Sequence, residues 1–137
     1  MHLAGRIARQ LKLSTERIKI LRFAGLLHDI GHAPFSHVSE QIMDTRTDKN
    51  IVDRYKAENA HELMSILLIQ NDKEIGTILN QEEKEEIALL LQKQKRGNIE
   101  RDIVSGPLDV DKLDYLLRDS YFTGVKYGVF DLDKIVE

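Results

Sequence analysis

Apolar residues recur along most of the chain at intervals of three and four positions, which is the spacing of residues on one face of an α-helix. The first such stripe is Leu3, Ile7 and Leu11 in LAGRIARQLKL. No segment alternates apolar and polar residues as a half-buried strand does, and no Asn-Gly or Asp-Gly pair is present to form a hairpin turn. The pattern therefore predicts an all-α fold, a helical bundle without a significant β-sheet.

Small polar residues precede the apolar stretches at positions where they can accept a hydrogen bond from the first helical turn. The predicted N-cap residues are Ser14, Asn59, Asn80, Asp109 and Asp131. Asn59 and Asn80 are each followed by a glutamate three residues later, which is the spacing of a capping box. Gly124 is expected to end the helix that follows Asp109.

The helix after Ser14 is apolar around most of its circumference. Its apolar residues are Ile18, Ile20, Leu21, Phe23, Ala24, Leu26, Leu27 and Ile30. A helix that is apolar on all sides is typical of a buried position, so we expect it to be the central helix of the bundle. Gly31 and Pro34 then break it, and a short helix is predicted from about Ser36 to Met43.

The length and composition are those of one folded domain. The chain has 137 residues, of which 42% are hydrophobic and 31% are charged. We expect a single domain over residues 1–137, and we expect the polar, highly charged segment 44–58 to be a long mobile loop.

Net charge and residue usage exclude several classes of function. The net charge of -3 does not favour binding of duplex nucleic acid, although local basic groups could still hold a small phosphate ligand. The chain has no cysteine, so disulfides and thiolate metal sites are excluded and His, Asp and Glu remain as strong metal ligands. No apolar run approaches the roughly 18 to 20 residues of a membrane helix, and MHLAGRIARQL becomes charged too early for a signal peptide. We expect a cytoplasmic protein without a membrane partner.

Three of the five histidines lie within ten residues, in LLHDIGHAPFSH. His28 and Asp29 end the apolar helix, where an unpaired carboxylate would be costly. A divalent cation bound by both side chains would remove that cost; alternatively, His28 caps the helix and Asp29 pairs with an arginine. His32, His37 and Glu40 follow within thirteen positions of His28, which strengthens the case for metal or acid–base chemistry.

A second group of polar residues lies in LDVDKLDYLLRDSYF. Asp111, Tyr115 and Asp119 fall on one helical stripe, with Lys112 and Arg118 beside it. This face is suited to binding a polar ligand, but the same pattern is also typical of a solvated helix surface.

Together, HDIGHAPFSH and the downstream DVDKLDYLLRDSYFTG resemble the HD-domain metal-dependent phosphohydrolases, and within them the branch of the deoxynucleoside triphosphate triphosphohydrolases. The resemblance implies an all-helical domain that binds a divalent metal ion through a histidine, a His-Asp pair and a distant aspartate. The pair corresponds to His28 and Asp29, and the distant aspartate to Asp111. The metal could be Mn, Fe, Mg, Zn, Co or Ni. The implied reaction is hydrolysis of a dNTP to nucleoside and tripolyphosphate.

The resemblance also implies roles for residues near the substrate phosphates. His32 would act with a carboxylate and a later histidine, and the matching positions are Glu40 and His61. We expect Glu40, which replaces the family's frequent aspartate, to fix the tautomer of His32 for proton transfer. His37 matches a histidine that contacts the substrate.

Three positions in the second motif match residues that contact the rest of the nucleotide. Lys112 would contact phosphate, Tyr115 the sugar, and Asp119 a sugar hydroxyl. In the family, the first metal-binding histidine precedes a stretch similar to MHLAGRIA, and this chain begins inside that stretch. His2 is out of register with that histidine, so the sequence is expected to be the central part of the enzyme, trimmed at both ends.

Two other interpretations stay open. The chain could be a truncated, non-catalytic helical module that binds nucleotide or a partner protein. It could also be a general HD phosphodiesterase, although that reading does not account for DVDKLDYLLRDSYFTG. Without the helix that would carry the missing histidine, the central helix would expose an apolar face, so we expect a homo-oligomer.

Overall fold

The computed structural model describes residues 1–93 and 97–136, and the regular secondary structure in these ranges is helical, with no strand. The all-α prediction is therefore confirmed. The helices are α1 (His2–Gln10), α2 (Thr15–Leu27), α3 (His37–Arg46), α4 (Lys49–Arg54), α5 (Ala60–Asn71), α6 (Ile75–Ile78), α7 (Gln81–Leu91), α8 (Ile99–Ser105), α9 (Val110–Thr123) and α10 (Leu132–Val136). No helix in the described ranges is both long enough and apolar enough to cross a membrane.

The predicted N-caps are confirmed by hydrogen bonds to backbone N–H groups three residues ahead. Asn80 forms a complete capping box, because it accepts from Glu83 N and Glu83 accepts from Asn80 N. The same type of hydrogen bond is formed by the other predicted caps, which are Ser14, Asn59, Asp109 and Asp131. The box at Asn59 is incomplete, since the Glu62 carboxylate accepts from Glu58 N. Gly124 ends α9 in the left-handed conformation, with φ 71°, as predicted. Glu137, at the end of the last predicted helix, and Gln94, at the end of the stretch after Asn80, lie outside the described residues.

The described residues form two compact units. The first comprises Met1–Gly25 and Ile99–Glu137. Within it, α1 packs against α8, α9 and α10, and α8 packs against α9. Ala4 and Ala8 are completely buried on α1, and these small side chains allow neighbouring helices to approach closely.

The second unit is Leu26–Asn98, in which α5 packs against both α3 and α7. Its core contains Ile66, Ile69 and Ile87, each with no exposed surface. Lys84 is buried on α7, and its ammonium donates to the Gln70 and Asp72 carbonyls at 3.4 and 3.0 Å. This lysine therefore caps the C-terminal end of α5.

The expectation that the helix after Ser14 is the most buried was wrong. α2 buries Ile20, Leu21 and Ala24, whereas Leu26 is 54% exposed and Ile30, beyond the helix end, is 43% exposed. The longest buried stripes lie instead on α5 and α7, which pack against each other. Apolar side chains around a helix show that it can be buried on every side, but only packing partners decide which of its sides are covered.

The segment 44–58 is not a loop throughout. It contains the end of α3, which continues to Arg46, and the short helix α4 over Lys49–Arg54. The Asp48 carboxylate caps α4 by accepting from Asn50 N at 2.9 Å. The high charge of the segment favoured a loop, whereas this N-cap is a local signal for a helix.

Candidate active site

A close contact at Gly31 brings the first histidine motif against α5. Gly31 N donates to the buried Ser65 hydroxyl at 2.9 Å. A Cβ atom at Gly31 would lie 2.3 Å from the His61 carbonyl oxygen and 2.4 Å from Ser65 N. Only glycine allows this approach, and the residue that was interpreted as a helix breaker is also what allows His32 to lie beside α5.

The beginning of α5 is held by two polar side chains. Asn59 caps the helix, and the Asp44 carboxylate, from the end of α3, accepts from Ala60 N at 2.8 Å. These contacts orient the first turn of α5, which carries His61. The link between Asp44 and Ala60 joins α3 to α5, and it could not be recognised from local spacing because sixteen residues separate the two positions.

Glu40, on α3, bridges two histidines. Its Oε1 lies 2.5 Å from His61 Nδ1, and its Oε2 lies 3.1 Å from His37 Nδ1. The side chains of Glu40 and His61 are 19% and 14% exposed, whereas that of His37 is 85% exposed. The hydrogen bond to His37, followed by the hydrogen bond and charge of His61, outweighs partial burial and lowers the pKa of Glu40 from its ordinary value.

His32 contacts the same cluster through its ring. It stacks on His61 with 4.0 Å between ring centroids and meets His37 edge-on at 5.6 Å. The structure therefore brings together His32, Glu40, His61 and His37. The pairing within the group differs from the expected one between Glu40 and His32. The Glu40 carboxylate binds His61 and His37, while His32 stacks on His61.

Asp29 extends the cluster towards the end of α2. Its Oδ1 lies 3.5 Å from His28 Nε2 and 3.9 Å from His32 Nε2. Among the described residues, the groups within ion-pair distance of Asp29 are therefore these two histidines rather than an arginine. The Nδ1 atoms of His28 and His32 are buried and have no hydrogen-bond partner in the described ranges.

This donor set fits a divalent cation. One donor atom each of Asp29, His32 and His61 lies within 4.8 Å of the others. Carboxylate and neutral imidazole are ligands for Zn, Mn and Fe, and an unpartnered buried imidazole nitrogen needs an acceptor, a donor or a metal. The three-donor group combines one residue expected to bind metal with two expected to handle protons.

The second motif lies on α9, in the first unit. Asp111 and Tyr115 are partly buried and Asp119 is exposed. Tyr127 donates to Asp119 Oδ2 at 3.5 Å, and partial desolvation together with the Asp119 charge raises the pKa of Tyr127. Asp111 lines a cavity of about 610 Å³, which also contacts Met1 and the α9 side chains Leu117 and Tyr121.

The ammonium of Lys112 lies at the N-terminal end of α9. It donates to the carboxylate of Asp109 and, at 3.1 Å, to the Gly106 carbonyl. Asp109 is the N-cap that the sequence predicts, but its ion pair with Lys112 was not predicted. The spacing of an aspartate three residues before a lysine was the available signal.

The sequence profile of the HD domain matches residues 1–119. An uncharacterized protein of Methanocaldococcus jannaschii is 37% identical over 99% of this chain and 24% of its own length. The deoxynucleoside triphosphate triphosphohydrolase SAMHD1 homolog of Dictyostelium discoideum is 35% identical over 99% of this chain and 28% of its own length. The chain thus spans about a quarter of these relatives.

A solved structure shares the fold. The crystal structure of a phosphohydrolase from Bacteroides thetaiotaomicron superposes with a TM-score of 0.68 and 29% sequence identity, over 98% of this chain and 30% of that one. The helical fold, the His-Asp cluster and the profile match agree with one another. The chain therefore belongs to the HD-domain family.

Proposed function

We propose that this chain carries a catalytic centre for metal-dependent hydrolysis of deoxynucleoside triphosphates, with release of nucleoside and tripolyphosphate. The observation that carries the proposal is the bridge from Glu40 to His61 and His37, with His32 stacked beside it and Asp29 adjacent. The choice of dNTP is supported by DVDKLDYLLRDSYFTG and by the likeness to the Dictyostelium protein.

We assign His28, Asp29 and Asp111 as ligands of the divalent metal by the family pattern, and the unpartnered His28 Nδ1 and the adjacent Asp29 carboxylate support the first two. A bound divalent cation supplies Lewis-acid polarisation of a phosphoryl oxygen. The candidate metals are Mn, Fe, Mg, Zn, Co and Ni; imidazole ligands suit Zn, Fe and Ni, and carboxylate ligands suit Mg and Mn.

Proton handling falls to the histidines around Glu40. An anionic Glu40 accepts from Nδ1–H of His61 and His37, which leaves Nε2 of each ring to exchange a proton with substrate or water. The lowered pKa of Glu40 keeps this carboxylate anionic. His32 would lie near the phosphates. When the stacked rings of His32 and His61 are both protonated, the negative charge of Glu40 offsets the repulsion between them.

Substrate binding is assigned to polar side chains by the family pattern. His37, which is exposed and held through Nδ1, would contact the phosphates. Lys112 would stabilise phosphate charge, Tyr115 would contact the sugar, and Asp119 would accept from a sugar hydroxyl.

The test is a hydrolysis assay on the chelator-treated chain, and on a version extended at both ends, with each of Mn, Mg, Fe, Zn, Co and Ni. The expected products are nucleoside and tripolyphosphate, and His61→Gln should remove the activity whereas Glu82→Gln, on the exposed side of α7, should keep it. Failure of both versions to hydrolyse any nucleotide would contradict an enzymatic function. Nucleotide binding without turnover would support the non-catalytic module, and cleavage of only cyclic nucleotides or monophosphates would support the phosphodiesterase.

A further inference from the structure

The N-terminal end of α9 contains an ion pair that the proposed function leaves unexplained. Asp109 is only 6% exposed. Its Oδ1 accepts from Lys112 N at 2.9 Å, and its Oδ2 accepts from Lys112 Nζ. Both oxygens of one buried carboxylate therefore bind the backbone and the side chain of the same residue.

The Gly106 carbonyl is a second acceptor for this lysine, at 3.1 Å from Nζ. A Cβ atom at Gly106 would lie 2.3 Å from the Asp102 carbonyl oxygen, so only glycine allows the backbone to follow this course between α8 and α9. An ammonium group has three N–H donors, and these two oxygens account for two of them. The Lys112 side chain is 40% exposed, so it is open to solvent beside these two contacts.

We propose that Asp109 is a positioning residue which, with the Gly106 carbonyl, holds the Lys112 ammonium ready for a phosphate group. The inference rests on the proposed function, because it takes Lys112 as the phosphate contact. A mobile lysine loses rotamer freedom when it binds a ligand, whereas a lysine that is already held loses less and binds more tightly. Asp109 also repels phosphate through its own charge, so the two effects act in opposite directions.

Because positioning by Asp109 strengthens phosphate binding and its charge weakens it, two variants that lose the same charge can separate the two effects. Asp109→Asn keeps a side-chain oxygen for the N-cap but removes the anionic partner of Lys112. Asp114→Asn makes the same change of charge on the same helix, where Asp114 pairs with Arg118 at 2.9 Å. Inorganic tripolyphosphate in metal-free buffer serves as the probe, and its Kd is measured by calorimetry.

We expect Asp109→Asn to raise the Kd about tenfold, which equals ~1.4 kcal/mol, although the variant has lost a negative charge. Asp114→Asn should leave the Kd unchanged or lower it. Lys112→Met should weaken binding as well, and in that background Asp109→Asn should weaken it no further, because the group that Asp109 positions is absent and only the repulsion by Asp109 is removed. An Asp109→Asn variant that binds tripolyphosphate as tightly as Asp114→Asn would overturn the proposal.

A second measurement needs no ligand. The side-chain NMR signal of the Lys112 ammonium should report an ordered group in the unmodified protein and in Asp114→Asn, and a mobile one in Asp109→Asn. Equal mobility in all three proteins would overturn the positioning role and leave the proposed function intact. A third result is also informative: the ammonium is ordered and becomes mobile in Asp109→Asn, but the protein binds no tripolyphosphate. That result would contradict the phosphate role of Lys112, and with it the role of Asp109 in preparing Lys112 for phosphate.

Discussion

Glu40 Oε1 lies 2.5 Å from Nδ1 of His61, a residue twenty-one positions further along the chain and on another helix. The second carboxylate oxygen of Glu40 holds His37, so one side chain fixes the tautomers of two histidines. Glutamate reaches both rings from α3, at the position where the family resemblance favours aspartate. The longer side chain is therefore compatible with the arrangement that proton transfer requires.

Replacing Glu40 with glutamine tests this bridge. Glu40→Gln preserves the shape of the side chain but removes the charge that stabilises protonated His61 and His37. We expect dNTP hydrolysis to fall by about 10²-fold or more, while circular dichroism and the unfolding midpoint show a folded protein. Glu82→Gln is the control for the loss of one carboxylate. Full activity in Glu40→Gln would show that the bridge has no role in proton transfer.

Metal affinity distinguishes the two sets of candidate ligands. If His28, Asp29 and Asp111 bind the ion, His28→Ala and Asp111→Asn should weaken Mn²⁺ binding by more than the ~10- to 100-fold that follows loss of a group supporting a ligand. His61→Ala should bind Mn²⁺ nearly as well as the unmodified chain. Calorimetric titration after chelator treatment measures all three. The reverse order of affinities would assign the ion to the Asp29, His32 and His61 group.

The contact at Gly31 predicts opposite effects for two glycine substitutions. Gly31→Ala would drive a methyl group against the backbone of α5, and we expect it to lower the free energy of unfolding by ~1–3 kcal/mol and to weaken activity. Gly25→Ala is the control, because a Cβ atom at Gly25 meets only ordinary contacts at 3.5 Å or more. It should be neutral or stabilising by ~0.5–1 kcal/mol, as for alanine replacing glycine within a helix. Urea unfolding of both variants provides the comparison, and equal stability would contradict the close approach.

The titration of Tyr127 reports its contact with Asp119. Partial desolvation and the charge of Asp119 raise the tyrosine pKa from its ordinary value of 10.0, because ionisation would place a phenolate beside a carboxylate. Asp119→Asn removes that charge, so the pKa of Tyr127 should move downwards, towards 10.0. NMR of the Tyr127 ring carbons across the alkaline range measures the shift. A pKa that stays in place would show that the two groups are apart in solution.

Replacing the buried Lys84 should lower the stability of the protein without affecting its catalytic activity. Lys84→Met fills similar space but leaves the Gln70 and Asp72 carbonyls without their ammonium donor. We expect the free energy of unfolding to fall by ~1–3 kcal/mol, the usual cost of leaving a buried polar group unsatisfied. The exposed Lys73→Met is the control, and thermal unfolding of the two variants gives the difference. Equal unfolding temperatures would mean that water replaces the lysine at these carbonyls.

The helix boundaries were predictable because their determinants are local. Asn80, Asp109 and Gly124 act on backbone groups three or four residues away, so spacing along the chain carries the information. The concentration of chemistry around His28 and Asp29 was also visible in the sequence. Such a density of imidazoles and carboxylates at the end of an apolar helix needs compensating partners wherever the helix packs.

Contacts between distant segments could not be predicted from spacing along the chain. The burial of α2 was overestimated because apolar side chains on every side do not identify the sides that neighbours cover. The partner of Glu40 was also misassigned, since His32 and His61 both lay within plausible reach along the sequence and only the packing of α3 against α5 distinguishes them.

The sequence by itself determined the all-α class, the N-caps and the family, because short-range hydrogen bonding and contiguous motifs depend only on neighbouring residues. The tertiary structure alone decided that Gly31 must be glycine, that Glu40 serves His61 and His37, and that Asp109 holds the ammonium of Lys112 as well as capping its helix. These features depend on the distances and directions at which folded segments meet, and several arrangements of the same helices satisfy the same local pattern.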